Sequence, residues 1–476
     1  RSERSETHSV PTSAPKKIAK VFLSNEQLQI LKLVSDGKNV FYTGSAGTGK
    51  SVLLREIIKT LRKEHVRTPD AIAITASTGI AACNIGGVTI HSFAGIGLGI
   101  ESAEDLATKI RKNKKAATRW LRTKVLIIDE VSMIDGDLFD KLARIGSIIR
   151  RKPEPFGGIQ IVITGDFFQL PPVTKGNGQV KFAFEASMWT ETIRHTYNLT
   201  KVFRQSDQDF VDMLNEMRFG RLSQKSIAKF KSLSRPIDYE DGLAATELFP
   251  RREDVDRSNT ERINRLHTDE AHFISIDGGM IQDENQKQKI LSNFMAPRHL
   301  TLRVDAQVML IKNVDEMLVN GSMGRIVRFV DPALYGTSHD IDADGAPTGE
   351  AAVIGAASST TGVGSAAKKN ARSGASQVKL YPVVEFITPG GGKRSMLVMP
   401  EVWKVELPNG EIQVSRTQLP LILAWAMSIH KSQGQTLDRV KVDLGKVFEK
   451  GQAYVALSRA TSLEGLQVLN FDPKKV

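Results

Sequence analysis

Four short segments carry residue types that together could hydrolyse a nucleoside triphosphate. In chain order they are residues 44–51 (GSAGTGKS), 125–130 (VLIIDE), 165–169 (GDFFQ) and 456–460 (ALSRA). They supply a phosphate-binding loop, a magnesium ligand beside a general base, a γ-phosphate sensor and a distant cation, which are the parts that phosphoryl transfer to water uses. The set predicts a triphosphate site between two domains, so that hydrolysis moves one domain against the other.

Residues 44–51 match the pattern G-x-x-x-x-G-K-[ST], and they follow an apolar strand and open a helix, the context that supports a phosphate loop. Its glycines let backbone N–H groups surround phosphate oxygens, and the helix N-terminus adds positive potential. Lys50 would reach the β- and γ-phosphates of ATP, and Ser51 would bind Mg²⁺. The loop residues assigned to the nucleotide are Gly44, Ala46, Gly47, Thr48, Gly49, Lys50 and Ser51.

Two carboxylates follow the apolar residues 125–128, which predict a buried strand. Such a strand carries the next residues to the carboxyl edge of a parallel sheet, where ligands collect in open α/β sheets. We therefore expect Asp129 to bind Mg²⁺, directly or through water, and Glu130 to polarise the attacking water.

Three further polar residues are candidates for contacts to the γ-phosphate. Gln169 follows the predicted strand 161–164 and would sense the phosphate there; a polar residue that only closes a strand-end turn is the alternative. Arg204 and Arg459 are candidate arginine fingers, which stabilise negative charge on the transferring group. Arg459 is favoured because it follows an apolar run and begins a turn in a second α/β region, whereas a surface position is the alternative for either arginine.

Gln27 has two interpretations that the sequence does not separate. With Ser24 it fits a helix capping box, in which Ser24 is the cap and Gln27 the third helical residue. The other interpretation is an amide that recognises the adenine base of the nucleotide.

The elements that position these residues form an α/β pattern. Between about 20 and 205, short runs rich in β-branched residues alternate with helical stretches, which predicts a parallel sheet covered on both faces. After a mostly helical stretch, residues 301–330 and 379–418 have the pattern of short strands, and Asn409-Gly410 predicts a hairpin between two of them. A length of 476 residues is typical of about three domains.

The chain accordingly divides into a leader, two α/β domains and an insertion between the halves of the second. The leader is rich in Ser, Thr, Pro and basic residues and is expected to be disordered, and a Gly-, Ala-, Ser- and Thr-rich stretch is expected to be a flexible surface excursion. The predicted bounds are 1–19 for the leader, 20–205 for the first domain with a small insertion at about 86–122, 206–300 and 413–476 for the second domain, and 301–412 for a β-barrel insertion with the excursion at 331–378.

The composition favours a polyanionic partner. There are 65 basic and 53 acidic residues, a formal net charge of +12 and a pI near 9.5. The densest basic run, at 109–124, is either a solvated helix face or a nucleic-acid contact, and the sequence leaves both open. Cys83 is the only cysteine, which excludes an internal disulfide and a cysteine-rich zinc site and indicates a reducing compartment.

Two features bear on location. No apolar run reaches the ~18 residues of a membrane span, so we expect no membrane partner. The first residue is Arg1, so we expect a trimmed core whose targeting signals lie outside it.

The motif set resembles superfamily-one DNA helicases of the petite-integration-frequency (Pif) type. Its specific part runs from Phe139-Asp140-Lys141-Leu142 through 155–160 into 165–173, a block similar to the segment that separates that family from RecD-type relatives. The likeness covers roughly 20–330 and 379–470. The other matching segments are 76–82, 89–93, 199–205 and 428–436.

The resemblance implies two RecA-like P-loop domains with ATP between them, a wedge insertion on the first and an SH3-like β-barrel on the second. It implies translocation from 5′ to 3′ on single-stranded DNA and unwinding of forked duplex, RNA–DNA hybrid and G-quadruplex DNA, by a monomer or a dimer on DNA. It further implies a place in nuclear and mitochondrial genome maintenance, including telomeres. It favours Gln27 as an adenine contact, Arg204 and Arg459 as fingers, and Gly434 as a nucleotide contact.

The same resemblance suggests a track for single-stranded DNA. Hydroxyl and imidazole groups would grip phosphates without reading sequence, and aromatic rings would stack on bases or act as a pin. For each hydroxyl the alternative is a turn or helix cap, and for each phenylalanine it is core packing. The candidate DNA-facing residues are Thr78, Thr89, His91, Phe93, Phe168, Ser428, His430 and Ser432.

Three other functions share some or all of these motifs. An ATPase that is stimulated by single-stranded DNA and remodels protein–DNA complexes shares every motif, and a RecD-type helicase shares most of them. A small-molecule kinase shares the phosphate loop but leaves the second α/β domain and its Arg459 unexplained.

Overall fold

The computed structural model describes residues 22–172, 180–315, 317–336, 353–354, 379–388, 391–406, 410–449 and 451–475. The predicted leader at 1–19 lies outside these residues, as do most of the predicted excursion at 331–378 and Asn409 of the predicted hairpin turn. In the described ranges no helix combines the length and the apolar composition needed to cross a bilayer.

The described strands are β1 (Val40–Gly44), β2 (Ile72–Ala76), β3 (Val88–Thr89), β4 (Val125–Asp129), β5 (Gln160–Thr164), β6 (His195–Leu199), β7 (Thr246–Phe249), β8 (Glu270–Ile274), β9 (Ile276–Gly278), β10 (His299–Arg303), β11 (Gln307–Leu310), β12 (Met323–Val330), β13 (Val353–Ile354), β14 (Tyr381–Ile387), β15 (Lys393–Val398), β16 (Glu401–Glu406), β17 (Ile412–Gln418), β18 (Leu421–Leu423), β19 (Ala426–Ser428), β20 (Val440–Asp443) and β21 (Leu466–Leu469). The described α-helices are α1 (Asn25–Ser35), α2 (Lys50–Glu64), α3 (Gly79–Asn84), α4 (Ile90–Ala94), α5 (Ala103–Lys112), α6 (Lys114–Arg122), α7 (Gly136–Arg150), α8 (Trp189–Thr192), α9 (Gln208–Arg218), α10 (Gln224–Ser232), α11 (Arg252–Asn264), α12 (Glu284–Leu291) and α13 (Gln452–Leu457).

The first domain is built on a six-stranded parallel sheet in the order β3-β2-β4-β5-β1-β6. Alternate residues of a central strand face opposite sides, since Leu126 and Ile128 belong to one buried cluster and Val125 and Ile127 to another. Because both faces are covered, these strands are continuous apolar runs in the sequence. The parallel α/β prediction is confirmed, and the carboxyl ends of β4, β5 and β1 lie side by side at one edge.

The predicted insertion at about 86–122 is integrated into the first domain. β3 pairs in parallel with β2, and α5 and α6 bury Leu106, Ile110 and Trp120 in the core beside the sheet. The Trp120 indole N–H donates to the carbonyl oxygen of Ala94 at 3.1 Å. These helices therefore cover one face of the sheet, and a wedge role for this segment stays a prediction.

The second domain contains a four-stranded parallel sheet in the order β19-β7-β20-β21. β7 precedes the insertion and the other three strands follow it, so the domain is discontinuous in sequence. Helices α9, α10 and α13 contribute Phe210, Phe230 and Tyr454 to a core that also contains Val440 and Val468 of the sheet.

The strand pairing of the insertion extends past its predicted bounds, which stay a prediction. Its strands form sheets in the orders β10-β8, β16-β17-β9 and β13-β15-β14-β12-β11-β18. β8 and β9 precede the predicted boundary at 301, and β18 follows the one at 413. The difference arises because their partners are remote in sequence, as when Ile276 pairs with Thr417. β13 and β18 end the six-stranded order, and its closure into a barrel stays a prediction.

The β16–β17 hairpin, an antiparallel pair as the sequence predicts, packs against the first domain. Its Val405 and Val414 belong to a small buried cluster, and Cys83 and Val88 of the first domain pack against that cluster. This contact places the only cysteine of the chain beneath the hairpin.

We expect Cys83 to react slowly with thiol reagents. Burial raises the pKa of its thiol to about 12, and the thiolate is the reactive form. Relative to a free thiol with a pKa of ~8.5, the thiolate fraction near neutral pH falls by roughly 10³-fold. Release of thionitrobenzoate from Ellman's reagent measures the rate, and the urea-unfolded chain is the control. A native rate equal to the unfolded rate would contradict the packing of the hairpin on the first domain.

A buried ion pair joins β9 to β17. Arg416 donates two hydrogen bonds of 2.8 Å to the Asp277 carboxylate, and its guanidinium also donates to the carbonyl oxygens of Leu291 and Ala296. Both side chains are largely buried, at 4% and 12% exposure. The hydrogen bonds from Arg416 lower the pKa of Asp277.

We expect Asp277→Asn to lower the free energy of unfolding by about 3 kcal/mol at neutral pH, because the buried guanidinium loses its counter-charge. A depressed folded-state pKa gives stability that is present above the unfolded pKa of ~3.9 and is lost as pH falls through the folded value. The deficit should therefore shrink in acid. Urea titrations at several pH values measure it. The control, Asp256→Asn, breaks the exposed pair with Arg252 and should cost under about 1 kcal/mol; equal losses for the two variants would contradict the prediction.

Candidate nucleotide site and DNA-facing residues

The phosphate loop connects β1 to α2 and has the conformation that anion binding needs. Gly47 and Gly49 have φ of +84° and +80°, and Gly49 is the N-cap of α2, whose first turn contains no acidic residue. A Cβ at Gly47 would lie 2.8 Å from Cβ of Arg204, so a larger residue at position 47 would displace Arg204. The Lys50 ammonium donates to the carbonyl oxygens of Gly44 and Ser45 at 2.8 and 3.0 Å, and it thereby lies within the loop.

Both interpretations of Gln27 fit the structure. Its side chain and Ser24 form a reciprocal capping box, and its Nε2 also donates to the carbonyl oxygen of Thr48 at 3.4 Å. The side chain is 2% exposed. A single glutamine therefore caps α1 and contacts the phosphate loop, and recognition of adenine stays a prediction.

Phe203 is a neighbour of this loop that sequence reasoning missed. Its backbone N–H donates to the carbonyl oxygen of Gly47 at 2.8 Å, and a Cβ at Gly49 would lie 3.5 Å from its ring. The ring is 51% exposed, so a flat face is available next to Gln27. Its position directly before Arg204 was the available signal.

Asp129 and Glu130 lie at the carboxyl end of β4. The Glu130 N–H donates to Asp129 Oδ1 at 2.8 Å, and Glu130 has a left-handed φ of +52°, a conformation that costs about 1–3 kcal/mol in a non-glycine residue and is common at functional sites. Glu130 Oε2 is buried without a hydrogen-bond partner. A buried, unpartnered carboxylate oxygen is suited to accept a proton from water.

Burial, together with the charge of the Glu130 carboxylate, raises the pKa of Asp129 to about 8. Burial likewise raises the pKa of Glu130, against the opposing effect of Lys50 and Arg459. Such carboxyl groups favour a nearby cation. Ser51 in the first turn of α2 and Asp129 at the sheet edge offer a hydroxyl and a carboxylate, which fits Mg²⁺ because this ion takes few protein ligands beside water and phosphate. Among the described residues no cluster of three or more His, Cys, Asp or Glu side chains could hold a metal.

Arg459 and Arg204 lie side by side at the seam between the domains. Arg459 is 2% exposed, and its guanidinium donates to the Val455 carbonyl and the Ser458 hydroxyl at 2.9 and 3.0 Å. Arg204 donates to Thr436 Oγ1 and to the Ser458 carbonyl, both at 3.0 Å. Burial, together with the charge of Arg459, lowers the pKa of Arg204 to about 9.

The charges from both domains converge. Arg459 is near enough to Glu130 and Lys50 to shift the pKa of each, although Lys50 belongs to the first domain and Arg459 to the second. Clustered buried cations are costly unless an anion joins them. The arrangement is therefore suited to a polyphosphate between the two domains.

Two direct contacts join the domains at the loop, and sequence reasoning missed both. The Ala46 N–H donates to the Tyr454 hydroxyl oxygen at 2.8 Å. Arg218 of α9 forms a bidentate ion pair with the fully buried Asp166, its NH2 group 2.9 Å from Oδ1. Because Asp166 precedes Gln169 in the same turn, this pair ties the predicted sensor segment to the second domain.

Gln169 and Phe168 follow β5 in that turn. Gln169 is 6% exposed, and a Cβ at Gly451 of the second domain would lie 2.2 Å from its carbonyl oxygen. The Phe168 ring is 43% exposed; it lies 5.1 Å from the Phe219 ring and 4.5 Å from the Arg218 guanidinium. A phosphate-sensing role for Gln169 and a DNA contact for Phe168 stay predictions.

The hydroxyls of the predicted DNA track cap local structure. Thr78 and Thr89 are the N-caps of α3 and α4 and accept from backbone N–H groups at 3.3 and 3.2 Å. Ser428 accepts from the Lys431 N–H at 3.3 Å. All three are partly exposed, so their O–H groups can also donate to a phosphate.

His91 and His430 are the imidazoles of the same track. His91 is partly buried, and burial lowers its pKa, so it is neutral near pH 7. His430 is also partly exposed, with Nε2 3.7 Å from a Glu449 carboxylate oxygen. Contacts of either ring to DNA stay predictions.

Two members of that track are buried in the structure, and a DNA contact of either stays a prediction. Phe93 is 3% exposed and packs on Trp120 with ring centroids 5.3 Å apart; it is a core residue because α4 turns its ring beneath α6. Ser432 is fully buried, and its hydroxyl donates to the Ile429 carbonyl at 2.7 Å, so its side chain closes a turn. Gly434 is exposed in the same turn with φ of +76°, and its nucleotide contact stays a prediction.

Comparison with known proteins gives two family matches and several similar proteins. Residues 22–227 match the family described as PIF1-like helicase, and residues 286–329 match the family described as DNA helicase Pif1, 2B domain. ATP-dependent DNA helicase PIF1 of Emericella nidulans is 56% identical over 483 aligned residues, which cover 100% of this chain and 64% of that protein. The chain thus spans less than two thirds of that relative's length.

Solved structures give a fuller match. The crystal structure of Pif1 helicase from Candida albicans is 48% identical, with a TM-score of 0.69, and the match covers 96% of this chain and 97% of that one. Pif1 helicase from Bacteroides in complex with ADP-AlF3 and ssDNA is 28% identical, with a TM-score of 0.55 and coverage of 96% and 94%. The two parallel-sheet domains are therefore RecA-like, and this chain belongs to the PIF1-like helicase family.

Proposed function

We propose that this chain is the motor region of an ATP-dependent DNA helicase that moves from 5′ to 3′ along single-stranded DNA. One observation carries the proposal: Lys50 and Glu130 of the first RecA-like domain lie close enough to Arg459 of the second for its charge to shift the pKa of each. A site divided in this way couples the presence of a triphosphate to the distance between domains.

The residues of the chain have separate parts in the proposed cycle. The phosphate loop and Lys50 bind the β- and γ-phosphates of ATP, and Glu130 orients the attacking water and accepts its proton. Mg²⁺, held by Ser51 and Asp129, would neutralise phosphate charge. Arg204 and Arg459 stabilise the charge on the transferring group, and both lose that anion after hydrolysis, so the closed state becomes less populated.

The proposed DNA partner follows from the relatives and from the charge. A Bacteroides Pif1 was solved with ssDNA, and this chain has a net charge of +12. Thr78, Thr89, His91, Ser428 and His430 offer partly exposed donors after strands of both sheets, which suits phosphate contacts without sequence reading.

The resemblance to the family suggests further details of the proposed function. They are unwinding of forked duplex, RNA–DNA hybrid and G-quadruplex DNA, a part in telomere and genome maintenance, action as a monomer or as a dimer on DNA, and a location in the nucleus and the mitochondrion.

Strand displacement tests the proposal. Duplexes with a 5′ single-stranded tail should be unwound when ATP is added, whereas duplexes with a 3′ tail or blunt ends should not. Separation of labelled strands on a native gel measures both. ATP turnover stimulated by single-stranded DNA without displacement of either duplex would instead support an ATPase that remodels protein–DNA complexes, and unwinding from the 3′ tail would contradict the proposed polarity.

A further inference from the structure

A cavity of about 810 Å³ lies between the first RecA-like domain and the β16–β17 hairpin. One wall is α6 with the C-terminal end of α2, and the opposite wall is the hairpin, which contributes Lys404, Glu406 and Glu411. The nucleotide residues identified above do not line it, and the proposed motor cycle assigns it no role.

The cavity lies mainly at the amino ends of the strands of the first domain. The nucleotide site and the predicted DNA track lie at the carboxyl ends. The lining of the cavity includes Asp70, Gly87 and Thr123, which directly or closely precede β2, β3 and β4. Thr78 and Thr89, by contrast, lie at the carboxyl ends of β2 and β3. Thr78 and Thr89 do not line the cavity, whereas Val88 and Phe93 beside them do. A ligand in the cavity would therefore lie mainly at the amino ends of these strands, away from the hydroxyls of the two threonines.

The α6 wall is strongly basic. The α6 residues in the lining are Lys114, Lys115, Thr118, Arg119 and Arg122, and Arg62 of α2 adjoins them. Arg122 is paired with Asp70 at 2.8 Å, and Arg119 is anchored on the carbonyl oxygens of Ser92 and Phe93. Within the described part of the chain, Lys114, Lys115 and Arg62 have no carboxylate at ion-pair distance, so their charges are available to an anion.

The floor of the cavity is apolar. It contains Ile72, Ala73, Ile74 and Val88 at the start of β2 and β3, and Val66, which is 72% exposed, at its mouth. A basic rim beside apolar surface suits single-stranded nucleic acid, whose phosphates bind cations and whose bases contact apolar groups; here these groups are aliphatic, where many single-strand binders use aromatic rings. The volume lies in the range of ~300–1,000 Å³ that is usual for ligand sites; it admits a few nucleotides of one strand and excludes a duplex.

We propose that this cavity binds a second single strand, the displaced strand of a DNA fork. Its phosphates contact Lys114, Lys115 and Arg62, and its bases contact the exposed Val66 and the partly exposed Val88. The inference rests on the proposed function, because a strand displaced from the duplex exists only if the other strand is held on the track at the carboxyl edge. Under this proposal, the basic run at 109–124 contacts nucleic acid and is not only a solvated helix face.

The test compares two substrates and two variants without ATP. The substrates are a duplex with a 5′ tail alone and a fork with both a 5′ and a 3′ tail, and fluorescence anisotropy gives Kd at several salt concentrations. Wild type should bind the fork several-fold more tightly than the 5′-tailed duplex. Lys114→Ala/Lys115→Ala should lose this preference for the fork. The slope of log K against log salt concentration for the fork should become shallower by about 0.7 per lost phosphate contact. The same variant should bind the 5′-tailed duplex within about twofold of wild type.

The control variant is Lys229→Ala/Lys231→Ala, which removes two exposed charges from α10 of the second domain and should leave the preference for the fork unchanged. Alanine is a strong helix former, and the melting temperature of each variant checks folding; Lys114→Gln/Lys115→Gln repeats the test with longer side chains.

Three results would overturn the proposal. They are no fork preference in wild type, no effect of the α6 variant on the fork, and an equal loss on both substrates, which would assign the cations to the translocating strand. Failure of wild type to bind any single-stranded tail would instead refute the proposed function.

Discussion

Lys50→Ala is expected to lower ATP turnover by about 10³-fold or more while affinity for single-stranded DNA stays within about twofold of wild type. The lysine is the cation of the phosphate loop, and its ammonium donates to the carbonyl oxygens of Gly44 and Ser45 at the point where phosphates would bind. Removing one preorganised donor to a developing charge typically costs 10²–10³ in rate, and loss of phosphate affinity adds to this.

The control for this variant lies on the same helix. Lys59 is paired with Glu56 on the outer surface of α2, so Lys59→Ala should leave turnover and DNA affinity unchanged. Phosphate release in the presence of single-stranded DNA measures turnover, and anisotropy measures DNA binding. If Lys50→Ala lost turnover and DNA binding together while its melting temperature was normal, the separation of the nucleotide site from the DNA track would be wrong.

Arg459→Ala is expected to lower turnover by roughly 10³-fold or more, as loss of an arginine finger does in other nucleoside triphosphatases. The guanidinium is buried, held by the Val455 carbonyl and the Ser458 hydroxyl, and close enough to Glu130 to lower its pKa. Arg459→Lys keeps the charge but loses the planar set of donors, so we expect most of the loss to persist.

A lower turnover of Arg459→Ala must be distinguished from a loss of folding, because Arg459 is also buried in the second domain. The melting temperature and the affinity for single-stranded DNA serve as checks, and Arg257→Ala removes an exposed arginine of α11 in the same domain as a matched control. Near-normal turnover in a folded Arg459→Ala protein would leave the second domain without a catalytic cation and would undo the proposed coupling between ATP and domain closure.

Patterns that depend on neighbouring residues were predictable from the sequence. The phosphate loop, the strand before Asp129 and the capping box at Ser24 involve residues a few positions apart, so propensity and spacing suffice to identify them. The parallel sheet of the first domain was predictable for the same reason, since strands buried on both faces are continuous apolar runs. The candidate catalytic residues of the phosphate loop and of β4 are therefore identifiable from the sequence.

The tertiary structure decided how those parts meet. The hydrogen bond from the Ala46 N–H to the Tyr454 hydroxyl and the ion pair of Asp166 with Arg218 join residues from different domains, and no local pattern encodes such contacts. The same limit applies to the insertion, because β9 pairs with β17 far along the chain. Phe93 and Ser432 show it for single side chains: their residue types suit DNA binding, but only the packed fold shows that both side chains are buried. Sequence thus determined which chemistry the chain carries, and long-range packing determined which side chains are free to perform it, since exposure and inter-domain distance are properties of the whole fold.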